Sequence, residues 1–366
     1  KDSSFSTATP SIITSSLFHT LRREEMFRWA FLVACHIGLV AGITCHEYFS
    51  SASVKSEKAR AWCEEGHYFN FTSALNGGQS VQAFYHCSGE RSKPAILLGH
   101  GWPTSSFDFQ GLVGLLQDSH YLCAVDYIGF GFSDKPSHPY RYSIFEHAQL
   151  LDLFVREVVS LKTFMYVTHD EGDSVGLQLL KAYETARPRP YKIVHHVMLN
   201  GNVYLPLAHL TKMQNLLLSN TTGPTAQHVL SARILAHGMG KETFSPPLSA
   251  VDAGELEAVF AFQGGTHVLH ETIQYLVERH DFENQWLAAL GRSPVPTTLI
   301  WGLKDAVAVP EVAEYVWNNY LKNRTSAPAT FHQLPDANHY LQVDHAEVVA
   351  QLIRDIHREK DAALVV

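Results

Sequence analysis

Between residues 81 and 334, short runs of β-type residues alternate with longer stretches of helical periodicity, an order that few folds accommodate. The β-type runs are 81–85, 95–98, 122–125, 164–167, 193–199, 298–301 and 330–334. Between them, residues 144–159, 175–183 and 312–321 are amphipathic at helical spacing. Strands joined in this way pair in parallel and are covered on both faces by their crossover helices. The pattern therefore predicts an α/β fold with a mostly parallel sheet.

The alternation breaks once. From Leu199 to Pro294 the stretches 205–218, 226–235, 256–262 and 271–290 read as helices, punctuated by Gly223, Pro224, Gly238, Gly240, Pro246 and Pro247, with no convincing strand. A helical cap inserted between two strands explains this better than a separate domain, because a strand and turn resume at Thr298. The expected organisation is a leader at 1–25, an apolar segment at 26–49, a linker at 50–80, a core at 81–202 and 294–366, and a cap at 203–293.

With 366 residues, 46% of them hydrophobic and 17% charged, the chain can bury the core of one elaborated domain. Its formal net charge of -8, without a Lys/Arg-rich block, argues against a nucleic-acid partner. The Ser- and Thr-rich leader predicts disorder. Residues 29–45 are apolar apart from His36, and Arg28, Tyr48 and Phe49 flank them. A spanning helix needs at least about 17 apolar residues, so the leading expectation is a membrane anchor, with a cleaved signal segment or a packed amphipathic helix as alternatives. Orientation is open, since Arg22, Arg23 and Arg28 face Lys55, Lys58 and Arg60 across the segment. Cys35, Cys45, Cys63, Cys87 and Cys123 contain no C-x-x-C pair, which removes the usual zinc and dithiol signatures. Cys63 with Cys87 is one candidate bridge and two free thiols the blander expectation. Sequons stand at Asn70, Asn220 and Asn323.

The chemistry concentrates at strand ends. Thr168 to Asp173 reads T-H-D-E-G-D, between the run 164–167 and a helix expected to begin near Ser174, which puts Asp170 at a strand-to-helix elbow. Helix N–H groups there favour an anion, and the same position suits a plain N-cap. Two further segments favour chemistry. H-G-W-P-T-S-S at 100–106 follows a strand and can supply the Trp102 N–H to an oxyanion hole completed by the Glu171 N–H. W-G-L-K-D at 301–305 and A-N-H-Y at 337–340 follow later strands, giving the chain order nucleophile Asp170, acid Asp305, base His339.

These residues resemble the epoxide hydrolase and haloalkane dehalogenase branch of the α/β-hydrolase family. Through His100–Ser106, D-Y-I-G-F-G-F-S-D-K-P at 126–136, Y-S-I-F-E at 142–146 and H-D-E-G-D at 169, the chain is similar to the mesoderm-specific transcript homolog subfamily. The resemblance covers about residue 81 to the end. It implies an α/β-hydrolase fold with an inserted cap, no cofactor, the triad Asp170, Asp305 and His339, and an N-terminal anchor at the endoplasmic reticulum. Asp126, Gly129 and Gly131 match a structural turn of the family.

A carboxylate is ionised at neutral pH and can displace at a saturated carbon without a base, forming an alkyl-enzyme ester that His339 then hydrolyses. The expected substrate is a small apolar or lipid-derived epoxide. Attack on a carboxylic ester would instead give a reactive mixed anhydride. Two departures matter. Dehalogenases of the branch carry tryptophan after the nucleophile to hold halide, where this chain has Glu171, whose carboxylate cannot donate. Epoxide hydrolases use two cap tyrosines as proton donors, and here only Tyr204 and Tyr275 lie in the cap. Glu171 and Asp173 also place like charge beside Asp170. A lipid acyl hydrolase or acyltransferase, and a non-catalytic ligand-binding protein of the same fold, are the competing expectations.

Overall fold

The computed structural model describes residues 44–51 and 55–364. Its strands are β1 (His67–Ser73), β2 (Gln79–Ser88), β3 (Ala95–Gly99), β4 (Tyr121–Val125), β5 (Thr163–His169), β6 (Lys192–Leu199), β7 (Thr297–Gly302) and β8 (Ala329–Leu334). They form one sheet in the order β1-β2-β4-β3-β5-β6-β7-β8. β1 and β2 pair antiparallel, as do β2 and β4, and every later pairing is parallel. The central strands are buried on both faces: Ile96, Leu97, Leu98, Tyr166 and Val167 are all 0% exposed. This removal of apolar area from water holds the layers together.

The chain winds from β3 outward to β4 and then crosses to the other side at β5. The carboxyl ends of β3 and β5 therefore meet at the reversal of strand order, where open α/β sheets form their ligand crevice. His100–Ser106 leaves β3 there, and Asp170 leaves β5. The Asp126 carboxylate fastens the neighbouring turn by accepting from the N–H groups of Ser106 and Phe132, each at 2.7 Å.

All seven expected strands are present. β1 was not expected, nor was the helix Glu57–Glu65, which occupies part of the presumed linker. Only Phe71 and Ser73 of β1 are buried, so an edge strand of this kind carries little apolar signal. The helix is held through Trp62, which stacks on His86 at 3.8 Å. The stretches 144–159 and 312–321 each begin as α-helix and end in a wider π-type turn. Between β6 and β7 the described chain is helical, the longest segment being Tyr275–Arg292.

Most of the presumed membrane segment lies outside the described residues. Its last residues form the helix Cys45–Ser51, and the aromatic pair expected at a bilayer edge packs on the body instead. The Tyr48 hydroxyl donates to the Ala258 carbonyl at 2.7 Å, and its ring meets Phe262 edge-on at 5.1 Å. No helix among the described residues is long and apolar enough to cross a membrane. The cysteine expectation needs correction. Cys45 bonds Cys63, and Cys87 bonds Cys123, its directly opposite partner in the β2–β4 register. That pairing depends on strand register, which cysteine spacing does not reveal.

Candidate active site

The helix expected near Ser174 begins at Glu171, directly after Asp170, and runs to Thr185. Asp170 takes φ 50° and ψ -111°, a strained conformation that turns the chain sharply from strand to helix. The turn is made possible by glycine. A Cβ on Gly172 would stand 2.4 Å from the Gly99 carbonyl oxygen, and one on Gly101 would stand 2.6 Å from the Asp170 Cβ. β3 and the elbow thus touch through backbone.

Asp170, 3% exposed, accepts the Trp102 N–H on Oδ1 at 3.0 Å. Its Oδ2 faces His339 Nε2 at 3.8 Å. The opposite ring nitrogen, Nδ1, lies 2.7 Å from Asp305 Oδ2. Asp305 is itself fixed: Oδ1 accepts from the N–H groups of Val307 and Ala308 at 2.8 and 3.0 Å, and Oδ2 accepts from Asn200 Nδ2 at 2.6 Å. Burial pulls the His339 pKa down, but the charges of Asp305 and Asp170 outweigh it and hold the imidazole above its ordinary value. The Glu171 N–H is the first of the helix and has no acceptor within it, and it stands one residue after Asp170.

The flanking acids face away from this assembly. Glu171 Oε1 lies 3.1 Å from His147 Nδ1, and Asp173 accepts from the Thr168 hydroxyl. Burial raises the pKa of both, Asp173 well above its ordinary value, a shift toward their neutral forms. A buried cation completes the arrangement. Arg279, from the cap helix and 0% exposed, donates through Nε to Ser174 Oγ at 2.8 Å and through Nη2 to the Asp170 carbonyl at 3.3 Å. Sequence reasoning did not select Arg279 or Asn200. Arginine in a helical stretch reads as a solvated face, and an asparagine at a strand end reads as a turn.

The two cap tyrosines separate. Tyr275 is 3% exposed beside the elbow, with the Arg279 guanidinium 4.7 Å from its ring centre. Burial and the Asp170 charge push its pKa well above the ordinary value. Tyr204 stands off the site, stacked on Tyr315 at 3.8 Å, because the chain after β6 runs over the edge of the helix Pro310–Val316. A cavity of about 450 Å³ lies above Asp170 and His339. Trp102, Val307 and Tyr340 line it from the core, and Met213, Leu235 and Met239 line it from the cap.

A sharp strand-to-helix elbow at the sheet reversal, a buried acid–histidine pair and an overlying helical segment are the marks of an α/β-hydrolase. Residues 96–352 match the model of the alpha/beta hydrolase family, and the chain belongs to that family. It is a hydrolase. LipZ of Mycobacterium tuberculosis, which bears the name of a hydrolase, is 35% identical over 274 residues, 73% of this chain and 91% of LipZ. The human mesoderm-specific transcript homolog protein is 29% identical over 299 residues, 79% of this chain and 84% of that relative. The crystal structure of the ancestral haloalkane dehalogenase AncHLD2 shares the fold. It matches at a TM-score of 0.66 over 81% of this chain and 99% of that one, with 21% identity.

Proposed function

We propose that this hydrolase opens small apolar, epoxide-like substrates through a covalent ester on Asp170. The observation that carries this reading is the carboxylate at the elbow, held by the Trp102 N–H and faced by a histidine that Asp305 orients. Asp170 attacks a saturated carbon and becomes a neutral ester. One of the charges that raises the His339 pKa is then gone, so the imidazole is freed to act as base at the step that needs one. His339 takes a proton from water, which attacks the Asp170 carboxyl carbon. The developing oxyanion forms on the oxygen already held by the Trp102 N–H, with the Glu171 N–H beside it.

Two contacts favour an epoxide over a halide. The Trp102 indole N–H donates to Thr272 Oγ1 at 3.1 Å, and the Glu171 side chain is turned to His147, so neither side chain offers a halide donor. Met213, Leu235 and Met239 give the cap wall an apolar portion that suits a lipid-derived chain, beside the polar Lys212, Gln214 and Glu242. The disulfides, together with exposed Asn70, Asn220 and Asn323, support a body on the lumenal side of the endoplasmic reticulum, held by the segment 26–49. A glycosidase-sensitive mass that resists carbonate extraction would bear this out, and an unglycosylated protein released by carbonate would overturn it.

The mechanism is tested by a single turnover in oxygen-18 water, which should label Asp170 before it labels product. In His339→Gln, a mass spectrum should show the substrate trapped on the peptide containing Asp170. Label confined to product, with Asp170 unlabelled, overturns the nucleophile assignment.

A further inference from the structure

The loop that carries His339 is tied to the cap. The chain that follows β8 passes Asn338, His339 and Tyr340, and residues 242–245, at the end of the cap helix Ala232–Glu242, lie against it. The Tyr340 N–H donates to the Thr243 carbonyl at 3.4 Å, and the Ser245 N–H donates to Asp344 Oδ2 at 2.7 Å. The Phe244 and Tyr340 rings stack at 4.6 Å with 9° between planes. The carbonyls of Glu242 and Thr243 stand where the helix has ended and left its last acceptors open, so the loop can use them.

One side chain joins the two segments directly. Asn338 Nδ2 donates to the Glu242 carbonyl at 3.1 Å and to the Phe244 carbonyl at 3.4 Å, while Asn338 Oδ1 accepts the His339 N–H at 2.9 Å. These partners fix which way the amide points, since a carbonyl only accepts and a backbone N–H only donates. The main chain of Asn338 belongs to the core. Its carbonyl accepts from Asn200 Nδ2 at 3.2 Å, and a Cβ on Gly302 would stand 2.5 Å from the same oxygen. The His339 carbonyl is held by the core as well, by His169 Nε2 at 3.0 Å from the end of β5. The base thus has its carbonyl bound to the strand of the nucleophile and its N–H bound, through one planar amide, to the cap. Asn338 is 9% exposed and His169 0%.

We propose that Asn338 is a positioning residue that couples the cap to the base, so that a substrate chain filling the cap side of the cavity sets His339 for ester hydrolysis. The inference rests on the covalent Asp170 reading, in which His339 acts only after the ester has formed. The link is short. Leu235 and Met239 line the cavity from the same helix whose end presents Glu242, and Glu242 and Thr243 line the cavity themselves. An alkyl chain packed on these residues holds the helix end in place and with it the acceptors of the Asn338 amide. The amide is rigid, so a shift of Glu242 that turns Nδ2 also swings Oδ1 away from the His339 N–H. The imidazole stands 3.8 Å from Asp170 Oδ2, and a misplacement of about 1 Å at such a site can slow a reaction roughly a hundredfold. The alkyl group stays on Asp170 until water attacks, so its length still acts on the cap at that step. Preference for a long chain is therefore expressed in hydrolysis of the ester.

The test uses the full chain and two terminal epoxides, propylene oxide and one bearing a long linear alkyl chain. Rapid quenching and mass analysis of the peptide containing Asp170 give the rates of ester formation and hydrolysis for each. In the unaltered chain the long ester should hydrolyse roughly tenfold faster than the short one. In Asn338→Ala the two should hydrolyse within about twofold of each other, while ester formation, which needs no base, should change by less than about threefold. Asn338→Asp keeps an acceptor for the His339 N–H and lacks the donor to the cap, so it should lose the preference in the same way. Phe244→Leu loosens the contact from the cap side and should weaken the preference with Asn338 intact. Comparing two chain lengths within one variant cancels any general loss of stability or base strength. A preference that persists in Asn338→Ala or returns in Asn338→Asp overturns the coupling, as does an unaltered chain that hydrolyses both esters at one rate, and each leaves the nucleophile in place. Absence of any adduct on Asp170 from either epoxide, in the unaltered chain and in His339→Gln, overturns the covalent reading itself, and the coupling with it.

Discussion

Replacing Asp305 with asparagine should separate the two halves of the reaction. Asp305 uses both oxygens as acceptors, Oδ1 from Val307 and Ala308 N–H and Oδ2 from Asn200 Nδ2 and His339 Nδ1. An amide has one oxygen. If it stays with the two backbone donors, the new NH2 meets Asn200 and His339, which both donate. The imidazole relieves the conflict by moving its proton to Nε2, and a protonated Nε2 cannot take a proton from water. Removing one partner of a buried pair of this kind costs about 3–5 kcal/mol, which slows ester hydrolysis roughly a hundred- to a few thousandfold. Attack by Asp170 needs no base, so adduct formation should change by less than about threefold. Rapid quenching and mass analysis of the Asp170 peptide give both rates in one experiment. Hydrolysis slowed by less than about tenfold, or adduct formation slowed in parallel, would refute the assignment of Asp305 as the partner of His339.

Gly101→Ala would place a methyl carbon 2.6 Å from Asp170 Cβ and 3.0 Å from its Oδ1. It should cost about 1–3 kcal/mol in a thermal melt and cut adduct formation by roughly a hundredfold through a displaced nucleophile. The His339 imidazole should titrate above its ordinary value, and Asp170→Asn should move that titration to lower pH by removing a charge that favours the imidazolium. An NMR titration unchanged by Asp170→Asn would contradict the facing geometry at 3.8 Å. Replacing Cys87 and Cys123 together by alanine opens a loop of separation 36 and should cost about 4 kcal/mol. A melting midpoint indifferent to that change and to reductant would exclude the bond.

The sheet was legible because buried strands leave an unambiguous mark. Ile96 to Leu98 and Phe164 to Val167 are apolar on both faces, and no loop tolerates that composition. The elbow was legible for a related reason: Asp170 directly follows β5, whereas His339 stands beyond the partly exposed β8 and was found through its A-N-H-Y setting. What escaped depended on contacts between distant segments. β1 is an edge strand with an exposed face, Cys87 meets Cys123 only through antiparallel register, and Tyr204 was chosen as a cap tyrosine without knowing which way the chain leaves β6. Arg279 is the clearest case. Its 0% exposure could not be inferred from a helix that also carries Glu278, His280 and Asp281.

Arg279 also lies among the three acids Asp170, Glu171 and Asp173 at the elbow, and its charge lowers the pKa of Glu171 and Asp173 against the larger effect of burial. Burial, first, and then the Asp170 charge raise the pKa of both Glu171 and Asp173. Burial favours the neutral form of each, and their hydrogen bonds run to His147 and Thr168, neither of which lines the cavity. The guanidinium lies against the same turn, donating to the Asp170 carbonyl and the Ser174 hydroxyl, and so places a positive charge beside the elbow. The cation comes from the cap and Asp170 from the core. Any shift of the helix Tyr275–Arg292 therefore moves both the wall of the cavity and the charge behind its carboxylate. The cap in this chain acts as part of the electrostatic environment of Asp170 as well as a cover over it.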